Sequence, residues 1–280
     1  MKIARYKIGS ESRLGLVSGD GVIDLTSRLD NSPSDSIDLM TRWPDIKGQL
    51  ADWAQDAADH QLGAVQLLAP VARPGKIVGI GMNYADHARE IGQDLPTSQL
   101  WFSKENSSIN GPFDDVEMPV DSAHLDYEAE MVCVIGRKVR HADGEEAAKA
   151  IFGYCVGNDV SVRDRQFHTS QFLLGKCGDT HAPVGPWITT ADEIDVSNLE
   201  IMSVVNGEIR QRSRTCELVY NCVQMVEHLS RVLTLHPGDL IFTGTPAGVG
   251  MASNPPRWLV PGDIVRVEIS GLGAIENRVA

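Results

Sequence analysis

The stretch LDYEAEMVCVIG, residues 125–136, carries two carboxylates, Glu128 and Glu130, in a run that otherwise reads as a β-strand. Side chains alternate faces along a strand. Glu128 and Glu130 therefore share a face that Val132 and Val134 continue, while Ala129, Met131, Cys133 and Ile135 line the other. Beyond Glu130 both faces are apolar, the pattern of a strand covered on both sides. Two like charges about 7 Å apart on such a strand are costly without a positive charge between them. Either the strand starts at the surface with both carboxylates solvated, or the pair belongs to a divalent metal site. A third carboxylate, Asp159 in YCVGNDVSVRD, ends another apolar run. Alone it reads as a strand-end turn residue. Beside Glu128 and Glu130 it completes three hard oxygen ligands, a set that suits Mg2+ or Mn2+. The absence of His and Cys from the set disfavours zinc.

Other segments supply groups of different chemistry. In GMNYADHARE, residues 81–90, His87 and Glu90 are three apart and share one face of a helical turn. A glutamate beside a histidine fixes its tautomer and raises its basicity, a preparation for activating water, although most pairs at this spacing are surface ion pairs. SVRDRQFHTSQFLLGKCGDTHAPVGPW, residues 161–187, offers Arg163, Gln166 and Lys176, the last between an apolar run and a Gly/Pro-rich loop. DLIFTGTPAGVG, residues 239–250, is a strand opening into a glycine-rich loop with hydroxyls at Thr243 and Thr245. It lacks the Gly-Lys-Ser/Thr of a phosphate-binding Walker loop, and GIGMNY lacks the third glycine of a dinucleotide fingerprint.

The elements that must hold these residues read as strands separated by Gly/Pro turns, with few helices. That predicts a β-rich α+β architecture rather than a doubly wound sheet. Residues 1–70 read as a small leading α+β module, with a Gly-Asp-Gly turn between strands and a helix in RWPDIKGQLADWAQDAADHQL. Pro70 and Pro74 mark a linker, and residues 71–280 form the second unit. EEAAKAIFGY and CELVYNCVQMVEHLSRVLTL read as helices.

With 280 residues, 42% hydrophobic and 22% charged, the chain has the composition of a soluble globular protein. No run is long and apolar enough to span a membrane, and MKIARYKIGSESR lacks a signal-peptide core. A net charge of −13 disfavours nucleic acid and anionic membranes as partners. Five scattered cysteines, none in a CxxC pair, suit a reducing cytoplasm.

Taken together, KIVGIGMNYADHARE, DYEAE, GNDVSVRDRQ, GKCGDTHAPVGPW, VNGEIRQ and PGDLIFTGTPAGVG resemble the fumarylacetoacetate hydrolase family across about residues 74–280, most of all its short microbial acylpyruvate and 2,4-diketo-3-deoxy sugar-acid hydrolases. The resemblance implies a β-rich catalytic fold holding Mg2+ or Mn2+ on Glu128, Glu130 and Asp159. It implies that His87 and Glu90 sit on a substrate-ordered lid, that Lys176 and Gln166 approach the bound substrate, and that Thr245 contacts its carboxylate. It further implies a homodimer or higher homo-oligomer. The expected reaction is hydrolysis of the C3–C4 bond of a 2,4-dioxo acid to pyruvate and a second acid. Oxaloacetate decarboxylation and 2-oxo acid isomerisation or lyase chemistry are the alternatives. Arg89, Gln93, Lys104, Ser107 and Ser108 lie on or near the lid and the segment after it, a polar rim that would favour a hydroxylated sugar-acid tail, and Arg163 and Lys104 join Gln166 and Thr245 as candidate substrate-binding residues.

Overall fold

The computed structural model describes all 280 residues. Strand Ala129–Ile135 is buried along its whole length. Its two faces divide as the alternation requires. Ala129, Met131, Cys133 and Ile135 belong to one apolar cluster, Val132 and Val134 to another. This double burial follows from its place in the sheet. It pairs antiparallel with Ile151–Asn158 on one side and Leu240–Phe242 on the other, inside a 12-stranded sheet. Leu240–Phe242 in turn runs parallel to Ile77–Gly81, and Leu100–Lys104 forms that edge.

The leading segment, residues 1–70, joins this sheet rather than standing apart. Lys2 and Ile3 pair with Thr189 and Ile188 of strand Ala182–Thr190. Ile3, Leu16, Leu39 and Leu50 share one cluster with Val132, Val134 and Phe242. Its strands extend that sheet and bury both faces, Ile3, Leu16 and Ile23 in this cluster and Ala4, Tyr6, Val17 and Val22 in a smaller one, because a small hairpin has too little core to stand alone.

A second, four-stranded antiparallel sheet covers the other face, in the order Glu208–Arg214, Glu200–Val205, Ile264–Ile269, Gly273–Arg278. Its first hairpin turns on Asn206-Gly207, both at positive φ, the two-residue turn that matches strand twist. Ile201, Val267 and Ile275 meet Met225, Val226 and Leu229 in the larger cluster.

Two expected helices are shorter than their sequence patterns. The helix in EEAAKAIFGY ends at Ala150, and Ile151 opens a strand buried throughout. The run beginning at Cys216 becomes helical only at Cys222, where Asn221 and Gln224 form a capping box that terminates the unpaired amides. No helix is long and apolar enough to cross a membrane.

Candidate active site

The two-residue strand Leu125–Asp126 breaks at Tyr127, and the ladder resumes at Ala129 opposite Asn158. That register sets Asp159 beside Glu128: the Asp159 amide donates to the Glu128 carbonyl at 3.0 Å, and the Glu128 amide donates to Asn158 Oδ1 at 3.0 Å. Glu128, Glu130 and Asp159 thereby gather oxygen atoms all within 4.8 Å of one another. All three are buried, so the solvated-strand reading of Glu128 and Glu130 fails.

Three cations surround the carboxylates. Lys176 Nζ donates to Glu128 Oε2 at 2.8 Å and Asp159 Oδ2 at 2.7 Å. Lys104 Nζ donates to Asp159 Oδ1 at 2.6 Å and to the Lys176 carbonyl. Arg163 bridges Asp126 Oδ2 at 2.9 Å and Glu128 Oε1 at 2.6 Å. Glu130 receives no ammonium or guanidinium, only the Gly244 amide at 2.7 Å. The electrostatic consequences diverge. Burial raises the Glu128 carboxyl, but Lys176 and Arg163 outweigh it and hold the group at about 2. Burial, with Asp159 and Glu128 adding repulsion, pushes Glu130 well above the usual carboxylate range. Burial lowers Lys176, yet Asp159 and Glu128 prevail and raise it, so it stays an ammonium. Four carboxylates thus face three cations, and the shortfall is felt at Glu130. An all-oxygen donor set with one uncompensated member fits a hard divalent cation such as Mg2+ or Mn2+.

A cavity of about 420 Å³ opens onto this cluster and brings His87, Gln166, Lys176 and Thr245 to its wall. His87 and Glu90 lie on the helix Ala85–Glu90, with His87 Nδ1 3.0 Å from Glu90 Oε2. Glu90 Oε1 accepts from the Gly248 amide at 2.9 Å, which ties this helix to the glycine-rich loop. Gln166 presents its amide oxygen to Arg163 Nη1 at 2.9 Å.

Several expected placements change. Lys104 is not a rim residue. It ends strand Leu100–Lys104 pointing inward, where its charge is matched by Asp159. Arg89 is exposed and paired with Glu217. Ser107 is exposed, and Ser108 is buried with its hydroxyl donating to the Glu105 carbonyl. Of that group only Gln93 reaches the cavity. The Thr245 hydroxyl donates to the Ala129 carbonyl at 2.9 Å and accepts from Gln211 Nε2 at 2.7 Å, so its proton is already engaged. Thr243 is buried with its hydroxyl donating to the Met131 carbonyl, away from the cavity.

Sequence reasoning missed two buried polar residues that shape the site. Asn83 donates to the Thr243 and Tyr220 carbonyls and accepts from the Tyr220 amide, pinning the chain just before the His87 helix. Asp126 accepts hydrogen bonds from Arg163 Nε, from the Gly250 and Met251 amides and from the amide of its neighbour Tyr127. The only available signal was a polar residue within an otherwise apolar run, a weak one.

Comparison with known proteins shows the family. The family model described as Fumarylacetoacetate (FAA) hydrolase C-terminal matches residues 76–280. A Dictyostelium discoideum protein named Fumarylacetoacetate hydrolase domain-containing protein 2 homolog is 38% identical, across 100% of this chain and 97% of that one. A Rattus norvegicus protein named Oxaloacetate tautomerase Fahd2a, mitochondrial, is 41% identical, across 96% of this chain and 88% of that one. Among solved structures, maleylpyruvate hydrolase from Sphingobium sp. SYK-6, in complex with manganese(II) ion and pyruvate, superposes with a TM-score of 0.84 at 33% identity, covering 100% of this chain and 99% of that chain. The chain belongs to the fumarylacetoacetate hydrolase family.

Proposed function

We propose that this protein hydrolyses the C3–C4 bond of a 2,4-dioxo acid with an uncharged acyl tail, releasing pyruvate and a carboxylic acid. The observation that carries the reading is the meeting of a Glu90-oriented His87 with the Glu128–Glu130–Asp159 cluster and Lys176 at one cavity. Glu128, Glu130 and Asp159 would hold Mg2+ or Mn2+, which would supply Lewis-acid chemistry at this site. Gln166, its oxygen held by Arg163, turns N–H donors to the substrate. His87 takes a proton from water, and the water oxygen attacks C4. The C3–C4 bond breaks and its electron pair moves into the C2–C3 unit. Lys176 stabilises the charge that develops on the 2-oxo oxygen. His87 returns the proton to C3, giving pyruvate.

The tail assignment rests on the apolar part of the cavity lining. Ile80, Ile91, Leu100, Phe102, Phe172 and Met251 belong to it, and of the polar rim that favoured a sugar acid only Gln93 lines the cavity. Such a lining suits an acyl chain better than a polyol. A second reading is keto–enol tautomerisation of oxaloacetate, the activity named for the rat relative. One structural feature favours it. Arg163 Nη2 is buried without a hydrogen-bond partner, a donor that a distal carboxylate would satisfy.

The test is a panel of acetylpyruvate, a 2,4-diketo-3-deoxy sugar acid and oxaloacetate with Mg2+ or Mn2+, before and after EDTA. Pyruvate release and enol absorbance are followed against no-enzyme blanks. Metal-dependent pyruvate release fastest from acetylpyruvate is the expected result. Accelerated decay of enol-oxaloacetate, with no cleavage of either diketo acid, would replace the hydrolase reading with the tautomerase.

A further inference from the structure

Asp126 lies at the end of strand Leu125–Asp126, fully buried, and touches neither the cavity nor the carboxylate cluster. Its hydrogen bonds reach both halves of the site. Oδ2 accepts from Arg163 Nε at 2.9 Å, and the same guanidinium holds Glu128 Oε1 and Gln166 Oε1. Oδ1 accepts from the Gly250 amide at 2.7 Å, and Oδ2 also accepts from the Met251 amide at 3.0 Å. The next residue extends the grip: the Tyr127 hydroxyl donates to the Gly248 carbonyl at 3.1 Å. Gly248 is the residue whose amide donates to Glu90, the partner of His87.

Close packing makes this loop dependent on the clamp. A Cβ at Gly250 would lie 2.6 Å from Asp126 Oδ1, and one at Gly248 would lie 2.0 Å from the Arg210 carbonyl. Gly248 also has φ +104°, a backbone conformation that side chains resist. The loop therefore approaches Asp126 as bare backbone and offers its N–H groups to it.

We propose that Asp126 is a positioning residue that sets the metal-ligand carboxylate Glu128 and the His87–Glu90 pair in register with each other. One limb runs through Arg163 to Glu128. The other runs through the loop at residues 248–251 to Glu90. Outer partners of this kind orient ligating and acid–base groups, and their loss typically weakens metal affinity or activity about 10–100-fold. The metal limb stands on its own, and the turnover limb rests on the hydrolase reading above.

The experiment uses the full chain with Asp126→Asn and Tyr127→Phe, and reads Mn2+ affinity by EPR titration, His87 ring 15N shifts and kcat on acetylpyruvate. Asp126→Asn disturbs both limbs and is expected to lower Mn2+ affinity about tenfold, shift the His87 signals and reduce kcat. Tyr127→Phe loosens only the loop and is expected to move the His87 signals and kcat while leaving Mn2+ affinity unchanged. A folded Asp126→Asn protein with wild-type Mn2+ affinity and wild-type His87 shifts overturns the proposal, since a merely structural role would move only the melting temperature. If Asp126→Asn does not fold, Tyr127→Phe decides: unchanged His87 shifts overturn the proposal, and altered shifts at constant Mn2+ affinity support it. A wild-type protein that cleaves no diketo acid removes the hydrolase reading, while Mn2+ affinity and 15N shifts still judge Asp126.

Discussion

Glu128 and Glu130 sit two residues apart and face the same cluster, yet their neutral replacements should have very unequal effects on the metal-free protein. Glu128 carries a charge that Lys176 and Arg163 need. Depression of its carboxyl from 4.5 to about 2 corresponds to roughly 3 kcal/mol of folded-state stabilisation. That agrees with the 3–5 kcal/mol typical of breaking a buried ion pair from one side. The sign is that of a depressed acid: the contribution is full above the unfolded value near 4.5 and lost as pH falls through about 2. Glu130 is raised instead, because burial and its neighbours Asp159 and Glu128 disfavour its charge. A neutral side chain of the same shape changes little there, and Gln can still accept from the Gly244 amide. The assay is urea unfolding at pH 7 in EDTA. Glu128→Gln should lose about 3 kcal/mol and Glu130→Gln less than about 1 kcal/mol. With saturating Mg2+ or Mn2+ the wild type should gain about 3 kcal/mol at a hundredfold excess over Kd, and both variants should lose most of that gain. Equal destabilisation of the two variants in EDTA would refute the charge assignment, because it would require Glu130 to be ionised without a cation.

His87→Ala should lower turnover at least about 100-fold while leaving Mn2+ affinity intact; normal diketo-acid hydrolysis by that variant would remove His87 as the base. Lys104→Met takes one of two ammonium partners from buried Asp159 and should cost about 3 kcal/mol in chemical denaturation, whereas a surface lysine would cost under about 1. His181 donates Nε2–H to the Glu117 carbonyl and keeps Nδ1 buried without a partner. Burial, with Lys104 and Arg165 nearby, lowers it from 6.5 to about 4. The unfolded chain therefore binds the extra proton first, and stability falls as pH drops from about 6.5 to about 4, by up to roughly 3 kcal/mol. His181→Gln should flatten that part of the stability–pH curve, and an unchanged slope would exclude His181 as its source.

Much of the candidate site was legible because strand alternation is a strict local rule. Period two placed Glu128, Glu130, Val132 and Val134 on one face, and the two apolar clusters divide along that line. The three-residue spacing of His87 and Glu90 likewise predicts a shared face, and their atoms meet at 3.0 Å. Helix ends were less legible, since Ile151 and Phe152 suit either a helix or a buried strand until the sheet claims them. Lys104 was misplaced for a related reason. A lysine in a polar neighbourhood reads as solvated, and only the approach of Asp159, 55 residues away, makes burial tolerable.

The residue types gathered at the cavity, the faces they share and the β-rich class were legible before folding, because these follow from composition and short-range periodicity. Tertiary structure alone decided which charges meet. It gave Glu128 two cations and Glu130 none, joined residues 1–70 to the main sheet, turned Lys104 inward to Asp159 and suspended Glu90 from a loop anchored at Asp126. The physical reason is the range of the interactions. Backbone geometry sets neighbours within a few residues, whereas a buried charge is stabilised by whichever opposite charge the fold carries to within hydrogen-bonding distance.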